Sequence, residues 1–186
     1  MPIDTGFNFE KQQVIETSKL MIISARTAPK SGGVDDILTA LITGEEKDSL
    51  AKVMDEIGFK RGIKGWNRDA QNVRDSDAVI LIGVRGVKSF GVNCGGCGYA
   101  TCEEFNKAEK RFGQDFKGPQ CIFKILDLGI AIGSAVKTAS ILNLDNRVMY
   151  RVGVAAIKLG YLPEATIILG IPVSARGKNI YFDRKV

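Results

Sequence analysis

Histidine is absent from all 186 residues of the chain. With it go Ser/His and Cys/His nucleophilic pairs, imidazole metal ligands, and the side chain most often used as a general base near neutral pH. Cysteine is scarce: four residues, all inside one window from Cys94 to Cys121. The first residues, Met1-Pro2-Ile3-Asp4-Thr5, lack the apolar core of a secretory signal, which points to the cytoplasm and a reducing environment. An apolar run of membrane-spanning quality is missing too. The longest candidate, Ile122 to Leu144, is interrupted by Lys124, Asp127 and Lys137 and reads as a buried helix. Basic clusters are also lacking. The net charge of +5 comes from Lys and Arg spread along the chain, which favours a solvated basic surface and is a weak argument for nucleic acid, so no nucleic-acid partner is expected.

What is there is a thiolate site. The window reads Asn93-Cys94-Gly95-Gly96-Cys97-Gly98-Tyr99-Ala100-Thr101-Cys102, and Cys121 follows, a spacing of C-x2-C-x4-C-x18-C. The first pair is close enough for one loop to wrap a metal. Cys102 opens an expected helix, Glu103 to Arg111, where the helix dipole favours a thiolate. Gly95, Gly96 and Gly98 let backbone N–H groups turn toward sulfur, an interaction that tunes iron–sulfur potentials. Cys121 arrives from the separate turn Lys117-Gly118-Pro119-Gln120. Three readings compete: a [4Fe–4S] cluster on four thiolates, a four-cysteine structural zinc, and disulfides or free thiols. Only one pair has the knuckle spacing that zinc sites usually repeat, and the spacing favours the cluster. The run of a two-cluster ferredoxin is not present.

Around that window the periodicity gives helices over Glu10–Ala25, Glu45–Ile57, Asn67–Ser76, Ile122–Leu142 and Arg147–Leu159. Strands are expected at Asp36–Thr43, Ala78–Val84, Ala165–Val173 and, briefly, Ile180–Phe182. Gly160 and Pro163 close the last helix, and Pro172 suits a strand leaving its sheet. Small residues at Gly129, Gly133 and Ser134 give the long helix a smooth side for another helix or a flat ligand. Two basic, glycine-containing loops stand out: Arg26-Thr27-Ala28-Pro29-Lys30-Ser31-Gly32-Gly33 and Arg176-Gly177-Lys178. Each reads as an ordinary connection or as a cradle for phosphate. The element order gives an α+β layered protein without internal repeats.

The motif Asn-Cys-Gly-x-Cys-Gly-x-x-x-Cys-x-x-Phe, Asn93 to Phe105, resembles the single-cluster iron–sulfur segment of anaerobic redox proteins. The whole chain resembles the uncharacterised prokaryotic family of ferredoxin domain-containing proteins. Outside the cysteine window, Ala28-Pro29-Lys30-Ser31-Gly32 and the Asp127–Leu142 helix with its following strand resemble the flavin-dependent nitroreductase fold. That resemblance implies one domain over 1–186, a three-layer sandwich with 90–121 as an inserted iron–sulfur motif. It implies an intertwined homodimer and flavin mononucleotide as a second cofactor. The nitroreductase fold opens with an arginine-rich segment that grips the flavin phosphate. Met1 to Glu10 holds no arginine, so Arg26, Lys30, Ser31, Arg176 and Lys178 are the candidates for that role. The implied function is an iron–sulfur redox protein or flavin-linked oxidoreductase. It would exchange electrons with a redox protein or a small molecule, and the cofactors would carry the hard chemistry. The alternative is a non-enzymatic protein whose zinc or cluster only staples the cysteine segment.

Overall fold

The computed structural model describes residues 6–182; the polar start Met1–Thr5 lies outside them. Helix α1 (Phe7–Thr27) leads through a single 3-10 turn (Ser31–Gly33) into strand β1 (Ile37–Ile42). Helices α2 (Gly44–Arg61) and α3 (Gly65–Asp75) follow, then strand β2 (Ala78–Val84). Gly62 ends α2 in the left-handed region, its N–H bonded back to Gly58 and Phe59 carbonyls. The cysteine segment holds a short helix, α4 (Cys102–Lys107), and a two-residue hairpin, β3 (Arg111–Phe112) with β4 (Lys117–Gly118). Helix α5 (Ile122–Ile141), strand β5 (Asp145–Asn146), helix α6 (Tyr150–Lys158) and strand β6 (Ile167–Ser174) complete the order.

The main sheet is antiparallel throughout, ordered β1-β2-β6-β5. Strand β2 is buried along its whole length, as its unbroken apolar run Ala-Val-Ile-Leu-Ile-Gly-Val requires of a central strand covered on both faces. Its side chains alternate between two cores. Ala78, Ile80, Ile82 and Val84 meet α1 and α5, through Met21, Ala25, Leu128, Ala131 and Ala135. Val79 and Leu81 meet α2, α3 and α6, through Leu50, Met54, Trp66 and Val152. The result is three layers, helices on either side of a sheet. Gly153 of α6 lets that helix lie directly on β6, since a Cβ there would stand 1.6 Å from the Ile168 carbonyl oxygen.

The expected helices and the first three strands are present with shifted ends. Three details differ. Residues 180–182 bend without joining a strand, because Asn179 and Asp145 tie that stretch down by a side-chain bond, with Asn179 also accepting from the Tyr181 N–H. The helix after Cys102 stops at Lys107, where Ala108 turns to extended backbone, instead of reaching Arg111. Helix α5 is buried on one side only. Leu126, Ile130 and Ile141 face solvent, and a side chain at Gly129 or Gly133 would meet open space. No described helix is long and apolar enough to cross a membrane.

Candidate functional site

Every cysteine of the chain lines one cavity at the carboxyl end of β2. Cys94, Cys97 and Cys102 come from the exposed loop and α4, and Cys121 from the residue that opens α5. All four are free thiols. Cys121 is buried and held by its own backbone, whose N–H donates to Gly86 O at 2.8 Å. The loop earns its shape from residues tolerant of positive φ: Gly91, Asn93, Gly95 and Gly98 all lie there. Asn93 is reciprocally bound to Cys102. Its amide oxygen accepts from Cys102 N–H at 2.7 Å, and its own N–H donates to Cys102 Sγ at 3.3 Å. That N–H···S bond lowers the Cys102 thiol below its ordinary pKa, opposed by desolvation. Thr101 caps α4 by accepting from Glu104 N–H, and Glu104 reaches back to Ala100 N–H, each at 3.2 Å.

The remaining walls are apolar and aromatic. Phe90 and Phe123 pack with tilted rings, centroids 5.2 Å apart, and Tyr99 meets the buried Phe105 in a T-shaped contact at 5.8 Å. Four soft thiol donors with N–H groups aimed at sulfur, in an apolar setting, suit an iron–sulfur cluster or zinc by donor chemistry. The space between them is narrow, about 10 Å³, room for one water at most. Among the described residues no group of three or more His, Cys, Asp or Glu side chains is drawn together tightly enough to hold a metal ion.

The five candidate phosphate ligands divide into two sets. Arg26, Lys30 and Ser31 lie at the carboxyl end of β2, beside the cysteine cavity. The neighbour between them is Phe90: a Cβ on Gly32 would stand 2.7 Å from its ring. Arg176 lies at the other end of β2, paired with Asp77 at 2.6 Å, and Lys178 follows two residues later. Seven strand residues separate these ends, about 20 Å. In the first set every polar group already has a partner within the chain, Arg26 at the exposed surface. Arg26 grips Asp35 and the Ile37 carbonyl, and Lys30 donates to the carbonyls of Arg26 and Ala28. Ser31 gives both its N–H and its hydroxyl to Asp127 Oδ1, at 2.9 and 2.8 Å. A flavin phosphate would therefore have to compete with these partners for its donors.

Two buried charges sit between loop and cavity, and both look in the sequence like mere interruptions of an apolar run. Lys124, 2% exposed, pairs with Asp36 at 2.6 Å and lies 5.9 Å from the Phe90 ring. Asp127, equally buried, keeps Oδ2 without a hydrogen-bond partner. Their spacing on α5 puts both on the face turned to the β1 edge, which helical periodicity alone could have flagged.

Comparison with known proteins places the chain in a family and its body in a known fold. A family model described as "uncharacterized protein containing a ferredoxin domain" (DUF2148) matches residues 117–184. That span includes Cys121 and stops short of the other three thiols. A protein of Archaeoglobus fulgidus, itself described as uncharacterized, is 47% identical over 177 residues, 95% of each chain. Among solved structures, nitroreductase A of Vibrio parahaemolyticus superposes with a TM-score of 0.54 at 13% identity, covering 96% of this chain. This chain spans only 61% of that protein's length. The NADPH:FMN oxidoreductase of Vibrio harveyi, complexed with NAD+, gives 0.55 at 12% identity, over 96% of this chain and 63% of its own. A putative nitroreductase of Desulfovibrio desulfuricans in complex with FMN gives 0.55 at 13%, over 92% and 79%. At such identities the likeness establishes the fold, which is nitroreductase-like, and nothing about activity. By the extent of its relation to the archaeal protein and the family match, the chain belongs to the family described as uncharacterized proteins containing a ferredoxin domain.

Proposed function

We propose that this chain is an iron–sulfur redox protein in which Cys94, Cys97, Cys102 and Cys121 ligate one [4Fe–4S] cluster. The observation that carries the proposal is the convergence of all four thiols on one aromatic-walled cavity. When bound, the cluster supplies one-electron transfer. The protein's own part is to fix Cys121 on the α5 terminus, to donate the Asn93 N–H to Cys102 sulfur, and to keep Phe90, Phe123 and Phe105 against the site. In this reading residues 90–121 are an inserted motif on a nitroreductase-like body.

The proposal extends to a second redox site on the Lys30 side of Phe90. There Arg26, Lys30 and Ser31 would hold the flavin phosphate, and the flavin would supply hydride or electron transfer. The fold supports this; the internal pairing of Arg26, Lys30 and Ser31 does not, so the cluster is the resident group and flavin the conditional one. A homodimer formed through α1 and α5 accounts for their outward apolar residues, Leu20, Ile23, Leu126 and Ile130. Such a protein would exchange electrons with a redox protein or a small molecule in the cytoplasm. The alternative is a structural zinc staple without redox chemistry.

Anaerobically purified protein, brown with broad blue absorbance that bleaches with dithionite, supports the cluster. Colourless protein carrying zinc selects the staple. Titration of that same protein with flavin mononucleotide then tests the second site. Saturation that weakens in Arg26→Ala/Lys30→Ala places the phosphate there. Absence of binding at about 50 μM flavin removes the flavin half and leaves a cluster-only protein.

A further inference from the structure

A separate cavity of about 590 Å³ opens on the opposite helical layer, between α2, α3 and the start of α6. Four arginines line it: Arg61, Arg68, Arg147 and Arg151. Two carboxylates oppose them. Asp115 takes Arg61 and the Tyr150 hydroxyl, and Asp69 takes both Arg68 and Arg151. Among the described residues Arg147 meets no carboxylate: it reaches the Tyr181 carbonyl at 3.4 Å and lies over the Phe182 ring. Four guanidinium charges against two carboxylates leave the lining with an excess of two positive charges. Such an excess in a concave wall attracts anions, and guanidinium is the side chain best shaped for phosphate.

The floor adds a second requirement. Trp66 is 2% exposed and sits beneath Arg61 and Arg151, at 5.1 and 5.7 Å from the ring. Tyr150, 44% exposed, lines the cavity and makes T-shaped contacts with Trp66 and Phe116. A half-exposed aromatic ring beside guanidinium groups that outnumber their carboxylates matches a planar ring carrying phosphate. The volume holds one such molecule.

We infer that this cavity binds a nucleoside phosphate, its base against Tyr150 and its phosphates on Arg147 and Arg68. Arg61 and Arg151 hold the floor. Neither the cysteine cavity nor the Lys30 loop takes part, so the inference stands apart from the redox proposal.

Trp66 is the only tryptophan, so its fluorescence reports this cavity alone. The test titrates full-length protein with ADP, adenosine and pyrophosphate in turn. Calorimetry runs beside fluorescence, so that a silent tryptophan does not hide binding. ADP should saturate, and both adenosine and pyrophosphate should bind at least about tenfold more weakly, since each lacks one half of the recognition. Arg147→Gln and Arg68→Gln should each weaken ADP about tenfold or more while leaving the melting temperature in place. No saturable signal by either method up to about 5 mM ADP overturns the inference. So does pyrophosphate binding as tightly as ADP, or unchanged ADP affinity in both variants.

Discussion

Removing either partner of the Lys124–Asp36 pair should destabilise the protein, but unequally. Lys124 is nearly inaccessible on the first turn of α5, whereas the Asp36 side chain remains 23% exposed at the sheet edge. Lys124→Met keeps the helix and most of the volume and leaves an unpaired carboxylate that water can reach. Asp36→Ala leaves an ammonium unpaired in the interior, near Phe90. Breaking a fully buried pair costs about 3–5 kcal/mol. The Asp36→Ala change should approach that range, and Lys124→Met should cost only about 1–2 kcal/mol because its orphan is hydrated. For a chain of this length each kcal/mol moves the melting point by about 2–4 °C. The expected shifts are therefore about 10 °C and about 4 °C. The double change Lys124→Met/Asp36→Leu should recover to within about 1 kcal/mol of the parent, since an apolar pair removes both desolvation costs. Equilibrium urea unfolding under reducing conditions measures all three, and the values should change little with salt because the pair is shielded. Lys124→Met as damaging as Asp36→Ala would refute the reasoning, and so would a double variant worse than either single one.

Other expectations rest on single contacts. Gly153→Ala should cost at least about 3 kcal/mol, seen as a fall in melting point of about 6–12 °C or loss of soluble protein, because α6 has to lift off the β6 backbone. The Tyr181 phenol, bonded to Ser76, is pushed up to about 12 by burial. The folded chain keeps it neutral while the unfolded chain ionises near 10, so its contribution is complete below pH 10 and disappears between pH 10 and 12. Over that window the parent should lose roughly 2–3 kcal/mol relative to Tyr181→Phe, read from urea midpoints at stepped pH. Ile130→Glu, on the outward face of α5, should convert a dimer to a 20.2 kDa monomer by light scattering without unfolding it; a monomeric parent would count against that interface.

The layered α+β body was legible because its periodicities are strong. Ala78–Val84 has the unbroken apolar run of a doubly covered strand, and α5 and α6 carry helical spacing over two to five turns. The four-thiol motif was legible because all the cysteines fall in one window, and the structure turns them onto one cavity. Less visible were features made by distant residues meeting. Nothing local in Gly32 announces that it abuts Phe90, and nothing in Lys124 or Asp127 names Asp36 or Ser31 as partners. The two basic loops looked alike in sequence, yet an antiparallel β2 sends them to opposite ends of the sheet. The β3–β4 hairpin and β5, two residues per strand, are too short for any period to register. The side of α5 that faces solvent in the single chain was not legible, because an apolar run does not say which of its sides the rest of the chain covers.

The measurement closest to the central claim is iron, zinc and acid-labile sulfide on protein purified without oxygen, for the parent and for Cys121→Ser. Cys121 is the buried, backbone-anchored thiol, and substituting it should strip the site while the exposed loop stays folded. The parent should hold about four iron and four sulfide per chain, and the variant far less. One zinc per chain with no labile sulfide would contradict the account.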